Sequence, residues 1–270
     1  MSTPDILSYY EGGAEQGRLE GAGALELQRT QDIARRWLPP PPAVVLDVGG
    51  GPGVYARWLA SLGYETHLVD VQPSHVEQAR AASAADPRPI ASAAVGDARR
   101  LDQRDASVEA VLLLGPLYHL TERPDREQAL RECRRVLRPG GVVIAAAISR
   151  FASLLDGLRS GFLDDPAFAG IVAEDLASGQ HRNLTRHPFW FTTAYFHRPE
   201  ELDTEMRNAG LHPLAVLAVE GPAWLLPDVG QRLADEERRA RLMDALRQVE
   251  AEPSLMGVSA HLLAIGRKAS

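Results

Sequence analysis

Val44-Val45-Leu46-Asp47-Val48-Gly49-Gly50-Gly51-Pro52-Gly53 reads as a short buried strand that runs into a tight glycine turn. Beyond it, Val54, Tyr55, Trp58, Leu59 and Leu62 recur at helical spacing, so a helix is expected over 54–62. Strand, glycine loop and helix start in this order form a cradle for a nucleotide-like ligand. Glycines admit the ligand close to the backbone, and the first turn of the helix offers free N–H groups. The spacing narrows the ligand. A dinucleotide fingerprint is G-x-G-x-x-G beneath a pyrophosphate, whereas the glycines here fall at Gly49, Gly51 and Gly53, with Val54 where the third dinucleotide glycine would stand. Asp47, two positions before the first glycine, repels a pyrophosphate and suits a ligand that carries a positive group.

Outward from the loop, a second strand over 65–69 ends in Asp70. A carboxylate there accepts hydrogen bonds from both hydroxyls of a ribose, a contact both ligand classes need. Ser74 with Glu77 fits a capping box for a helix over 74–85. A third strand, 90–95, runs into Gly96-Asp97-Ala98-Arg99. The fourth, 108–114, is the unbroken apolar run of a central parallel strand, and it empties into Gly115-Pro116-Leu117-Tyr118-His119. Ligands of open α/β sheets bind at the carboxyl ends of strands, so this loop is expected to face the reacting group. His119 is the candidate general base because its pKa lies near working pH. A histidine that orients the loop or touches the ligand is the alternative. Helix 123–137 carries Cys133 on its apolar face as a core residue, Pro139-Gly140-Gly141 ends it, and strand 142–148 follows.

In this register the chain resembles the class I S-adenosylmethionine-dependent methyltransferases, of the bacterial small-molecule type. The matching pieces are 45–53, Val69-Asp70, Gly96-Asp97-Ala98, Leu112 to His119 and Val136-Leu137-Arg138-Pro139-Gly140-Gly141. The resemblance implies a Rossmann-like α/β fold: a seven-stranded, mostly parallel sheet with helices on both faces and a mostly helical cap insertion. It implies S-adenosyl-L-methionine as cofactor and S-adenosyl-L-homocysteine as product. Asp47, Gly49 and Gly51 would hold the methionyl part and Asp70 the ribose. Asp97 and the backbone of Ala98 would serve the adenine, and Leu114 would line the cofactor site. An N-terminal helical lid is also implied, in which Arg29 pairs with the methionyl carboxylate and Tyr9 or Tyr10 lines the methyl pocket. Tyr118 and His119 would lie near the acceptor, with Tyr195 and His197 contributed by the cap.

Four segments follow: a lid at 1–42, the cofactor-binding core at 43–148, a cap at 149–198, and a C-terminal part of the core at 199–270 with edge strands and a helical insertion. The cap is rich in aromatic and histidine residues, among them Phe189, Trp190, Phe191, Tyr195, Phe196 and His197. A long irregular stretch of this kind is usually functional. It suggests an enclosed small-molecule acceptor, methylated at O, N or C, such as a secondary metabolite. His181, His187 and His197 lack a metal-binding spacing, so no metal is expected. Helix 199–209 starts on Pro199-Glu200-Glu201, and strands are expected at 211–219 and 258–265, which the resemblance implies pair antiparallel at a sheet edge.

The net charge of −7 among 270 residues argues against a protein that holds long nucleic acids by counterion release. One cysteine permits neither an intrachain disulfide nor a cysteine metal cluster. No membrane-spanning apolar run and no secretory leader is visible, so the reading is cytoplasmic, as a monomer or homodimer. Two other functions share this sheet: an NAD(P)-dependent oxidoreductase, against which the glycine spacing and Asp47 count, and a non-catalytic binder of S-adenosylmethionine.

Overall fold

The computed structural model describes Leu19 and residues 23–270. In chain order the elements are α1 (Ala24–Trp37), β1 (Val44–Val48), α2 (Val54–Ser61), β2 (Glu65–Asp70), α3 (Pro73–Ser83), β3 (Ser92–Val95), β4 (Val108–Leu113), α4 (Pro116–His119), α5 (Arg123–Val136) and β5 (Leu137–Ser149). Then come α6 (Ala152–Ser160), α7 (Pro166–Ser178), β6 (Gln180–His181), β7 (Ala194–His197), α8 (Pro199–Asn208), β8 (His212–Ala218), α9 (Val229–Ala234), α10 (Glu236–Val249), α11 (Pro253–Met256) and β9 (His261–Arg267). Among the described residues no helix is long and apolar enough to cross a membrane.

The chain divides into two compact units. One, the glycine-loop unit, comprises Ile33–Ala146, Asp203–Ala215 and Ala264–Ser270. Its strands run parallel in the order β3-β2-β1-β4-β5. The connections from β1 through α2 and α3 step to one side, and that through α5 steps to the other. Right-handed crossovers therefore put helices on both faces of the sheet and make β1/β4 the place where strand order reverses. The central strands are apolar on both faces: Val45, Leu46, Ala110, Val111, Leu112, Leu113, Val143, Ile144 and Ala145 are buried. At the start of β5 the single lysine of the chain, Lys268, donates from Nζ to Leu137 O at 2.6 Å.

The second unit comprises the described residues up to Asp32 with Ala147–Leu202 and Val216–Leu263. Here the last residues of β5 pair parallel with β7, Ile148 opposite Phe196 and Ser149 opposite His197, and β6 pairs antiparallel with β7. Phe168, Val172 and Trp190 form one core cluster, with Phe162 and Leu154 against it. Leu25, Ala223, Leu233 and Leu246 form another.

Several local expectations are corrected. Among the described residues nine strands appear where seven were expected; the two extra, β6 and β7, fall in the stretch read as mostly helical, which also holds α6 and α7. The Ser74–Glu77 capping box does not form: Pro73 opens α3, so the N-cap is Gln72, which makes no side-chain cap bond. Pro139-Gly140-Gly141 lies within the span of β5, where Gly140 N–H donates to Lys268 O. Strands β8 and β9 pair as expected. Val219 N–H donates to His261 O where one ends and the other begins, so the two run in opposite directions. The 199–270 stretch is divided between both units.

Candidate cofactor and acceptor site

The glycine loop leaves the end of β1 with Gly49, Gly51 and Gly53 all at positive φ (71°, 53° and 89°), a region in which side-chain-bearing residues are strained. Space is the second constraint. A Cβ on Gly49 would lie 2.5 Å from Pro116 Cδ, and one on Gly50 would lie 2.7 Å from Asp47 Oδ2. The loop thus packs against the turn after β4 on one side and against the Asp47 carboxylate on the other.

Asp47 is fully buried, and neither of its carboxylate oxygens has a hydrogen-bond partner of normal geometry. Burial, reinforced by the nearby negative charge of Asp70 and only partly opposed by the Ala56 backbone N–H, raises its pKa to about 7. A buried polar group left in this state is costly. A cationic group that meets it is the natural relief.

Asp70 ends β2 and is held from three sides. Gly51 N–H donates to Oδ2 at 2.8 Å, Gln72 N–H to Oδ1 at 2.8 Å, and the His75 ring nitrogen Nδ1 lies 3.3 Å from Oδ1. The carboxylate is therefore oriented by the loop it faces. Asp97, at the turn after β3, is gripped by its neighbour Arg99, which donates to both oxygens and also pairs with Asp125. The Arg99 guanidinium holds the Asp97 carboxyl below the usual range, against the opposing effect of partial burial. Ala98 is buried in the same turn. Leu114 O accepts from the Tyr118 hydroxyl at 3.2 Å, and the Tyr118 ring meets His119 edge-on at 4.7 Å between centroids.

The glycine-loop unit thus collects Asp47, Gly49, Gly51, Asp70, Asp97, Ala98, Leu114, Tyr118 and His119 on the C-terminal ends of β1 to β4 and the turns beyond them. Four participants went unread in the sequence: Gly50, His75, Arg99 and the Gln72 backbone. His75 had a local signal, since it stands in the first turn of the helix after Asp70. Arg99, two residues after Asp97, had one too.

The remaining expected residues belong to the second unit. Arg29 is fully buried, and the structure spends it differently from the expected carboxylate partner. Its guanidinium donates to Val219 O at 2.9 Å, Asp32 Oδ2 at 2.8 Å and Glu250 Oε2 at 2.6 Å, which ties α1 to the end of α10. The Tyr195 hydroxyl bonds Glu201 Oε1 at 3.1 Å and receives Arg150 Nη2 at 3.2 Å, and its ring meets His197 edge-on. Tyr9 and Tyr10 lie outside the described residues. His181 is paired with Asp175 at 2.9 Å and stacks on Phe196. One group of metal-type ligands is brought together among the described residues, Glu26, Glu220 and His261, with ligand atoms within 4.8 Å of one another. Glu220 already serves Ser259 Oγ, the His261 N–H and the His261 ring.

The site presents a buried carboxyl beside a glycine loop, a carboxylate oriented by that loop at the end of the next strand, and a third acid one strand further. Gly49, Gly51 and Asp47 would hold the charged end of S-adenosylmethionine and Asp70 its ribose.

A family model described as "Methyltransferase domain" matches residues 45–141. The chain is 34% identical over 149 residues to the ubiquinone/menaquinone biosynthesis C-methyltransferase UbiE of Acidiphilium cryptum, covering 53% of this chain and 58% of the relative. It is 30% identical over 194 residues to the ubiquinone biosynthesis O-methyltransferase of Xanthomonas axonopodis pv. citri, covering 70% of each. The chain therefore spans somewhat over half of the first relative and more of the second. The crystal structure of a SAM-dependent methyltransferase from Methanosarcina mazei has the same fold, with a TM-score of 0.60 at 17% identity over 88% of this chain and 97% of that one.

Proposed function

The chain belongs to the class I S-adenosylmethionine-dependent methyltransferases, and from that membership we infer that it moves a methyl group to an O, N or C atom of an enclosed small molecule. The observation that carries the reading is Asp47: a fully buried carboxylate with both oxygens unpartnered, beside a loop of positive-φ glycines. An anionic ligand would be repelled by the ionised group. A cationic cofactor satisfies it, and the Asp70 carboxylate stands ready for hydroxyls.

When bound, the cofactor supplies a methyl group on a cationic sulfur. What this chain's residues contribute is placement. Orientation of an acceptor lone pair behind the methyl, with water excluded, can supply several kcal/mol of barrier reduction, on the order of 7 or more in well-aligned cases. His119 is the group we assign to proton removal where the acceptor is a weakly acidic hydroxyl, a protonated amine or a carbon acid. Tyr118 lines the same turn. A neutral amine, a carboxylate or a thiolate would need placement alone. The names of the two relatives, a C- and an O-methyltransferase, favour carbon or oxygen over nitrogen as the methylated atom. Gly115-Pro116-Leu117-Tyr118 lacks the polar first residue of the Asn/Asp-Pro-Pro-Tyr signature, which counts only against methylation of nitrogen in planar amides or bases. The aromatic and histidine-rich 149–198 stretch favours a small, partly apolar acceptor over a macromolecule.

Calorimetric titration with S-adenosylmethionine, S-adenosylhomocysteine and NAD tests the reading. Micromolar binding of both adenosyl ligands, lost in Asp70→Ala and without an NAD signal, is expected. NAD binding in place of the adenosyl ligands would overturn it in favour of hydride transfer. Labelled methyl donor incubated with fractionated extract then separates an enzyme from a binder and identifies the acceptor.

A further inference from the structure

We propose that Arg126 and Glu205 are positioning residues that hold the Tyr118–His119 turn in place, a role that rests on the methyl-transfer reading only for its catalytic consequence. The turn cannot hold itself. Helix α4 is one turn long, closed by the Leu120 N–H to Pro116 O bond at 3.0 Å, and helices this short are not stable alone. The two carbonyls that leave it, those of Leu120 and Thr121, both accept from Arg126 Nη1, at 2.9 and 2.8 Å. The other edge of the same guanidinium is fixed by Glu205 on α8: Nε and Nη2 donate to Oε1 at 2.9 and 2.7 Å. Both side chains are 2% exposed. One planar fork thus joins the backbone immediately after His119 to a carboxylate on a different helix of the same unit.

Stability alone does not account for this arrangement. Burying an ion pair costs about as much as the pair returns, and apolar replacements of similar volume are often as stable. An apolar pair could not satisfy the Leu120 and Thr121 carbonyls. Nor could a lysine, whose single nitrogen cannot reach two carbonyls and a carboxylate in the plane that the fork spans. The geometry of the guanidinium is therefore what the site uses, and what it fixes is the direction in which the His119 turn leaves β4.

The test compares wild type with Glu205→Gln, Arg126→Gln and Arg126→Lys by amide hydrogen exchange and by the histidine ring resonances in NMR. Expected is at least tenfold faster exchange over 117–121 and a displaced His119 ring signal in all three variants. Exchange in β2 and the His67 ring signal should stay put in all three, which separates a local release of the turn from a general loss of stability. An unmoved His119 signal in Arg126→Lys and Glu205→Gln, or a loss of protection spread equally over β2, would overturn the proposal and leave a merely structural ion pair. Binding of S-adenosylhomocysteine by wild type is measured alongside. Its failure would overturn the methyl-transfer reading, and the exchange comparison would still decide the positioning role.

Discussion

Gly51 donates its N–H to Asp70 Oδ2 at 2.8 Å, so the second glycine of the loop and the carboxylate that ends the next strand form one hydrogen-bonded piece. Removing the acid therefore does two things: it deletes the proposed ribose contact and unties the loop. Asp70→Ala is expected to weaken S-adenosylhomocysteine binding at least a hundredfold, about 3 kcal/mol, the scale of two lost hydrogen bonds to a charged group. Asp70→Asn keeps an oxygen for the Gly51 N–H and should fall between the two. Calorimetry on the three proteins checks the order.

Asp47 sets a pH dependence. Its carboxyl keeps its proton to about pH 7 in the folded chain but releases it near 3.8 when unfolded. The folded state thus binds the proton more tightly, and the stability this gives is complete below pH 3.8 and lost as pH rises to 7. The amount is roughly 4 kcal/mol at about 1.4 kcal/mol per pKa unit. Relative to Asp47→Asn, ligand-free wild type should lose stability across that window, as read by thermal melts. Cofactor binding has the opposite sense. A cationic group pairs with the carboxylate only after the proton leaves, so affinity should rise up to tenfold per pH unit towards pH 7 and level off above it. A binding profile that is flat from pH 5 to 8 would count against Asp47 as the partner of a cation.

Gly49→Ala is expected to be damaging twice over. The new methyl would meet Pro116 Cδ at 2.5 Å and would have to adopt φ +71°. Overpacking and backbone strain each cost on the order of 1–3 kcal/mol. A Tm loss of several degrees with loss of adenosyl-ligand binding is expected. Gly140→Ala shares only the positive φ, with open space around it, and should cost less.

Cys133 is fully buried on α5, and burial pushes its thiol up to about 12. Native protein should resist thiol reagents at neutral pH, and labelling should appear at the rate of unfolding. Fast labelling of native protein would contradict its place in the core.

The sequence carried the glycine loop, Asp70, Asp97 and the parallel strands because each is written locally: a glycine spacing, an acid at a strand end, an unbroken apolar run. What escaped was set by partners far apart in the chain. Arg126 and Glu205 are 79 positions apart, and nothing near either announces the other. Arg29 has a charge that suits a ligand carboxylate equally well, and only the fold reveals that Glu250 and Asp32 have taken it. β7 was missed for another reason: its parallel pairing with β5 involves two residue pairs, too short for alternation to register. The capping box failed because a proline fixed the helix start one residue earlier.

Lys268 has a practical consequence. It is the one side-chain amine among 29 basic lysine and arginine residues, and its Nζ rests on the Leu137 carbonyl at the beginning of β5. In a parallel sheet that is the edge opposite the one from which the glycine loop emerges. A dye or a surface coupled through this lysine would leave the ligand-binding edge facing away from the attachment.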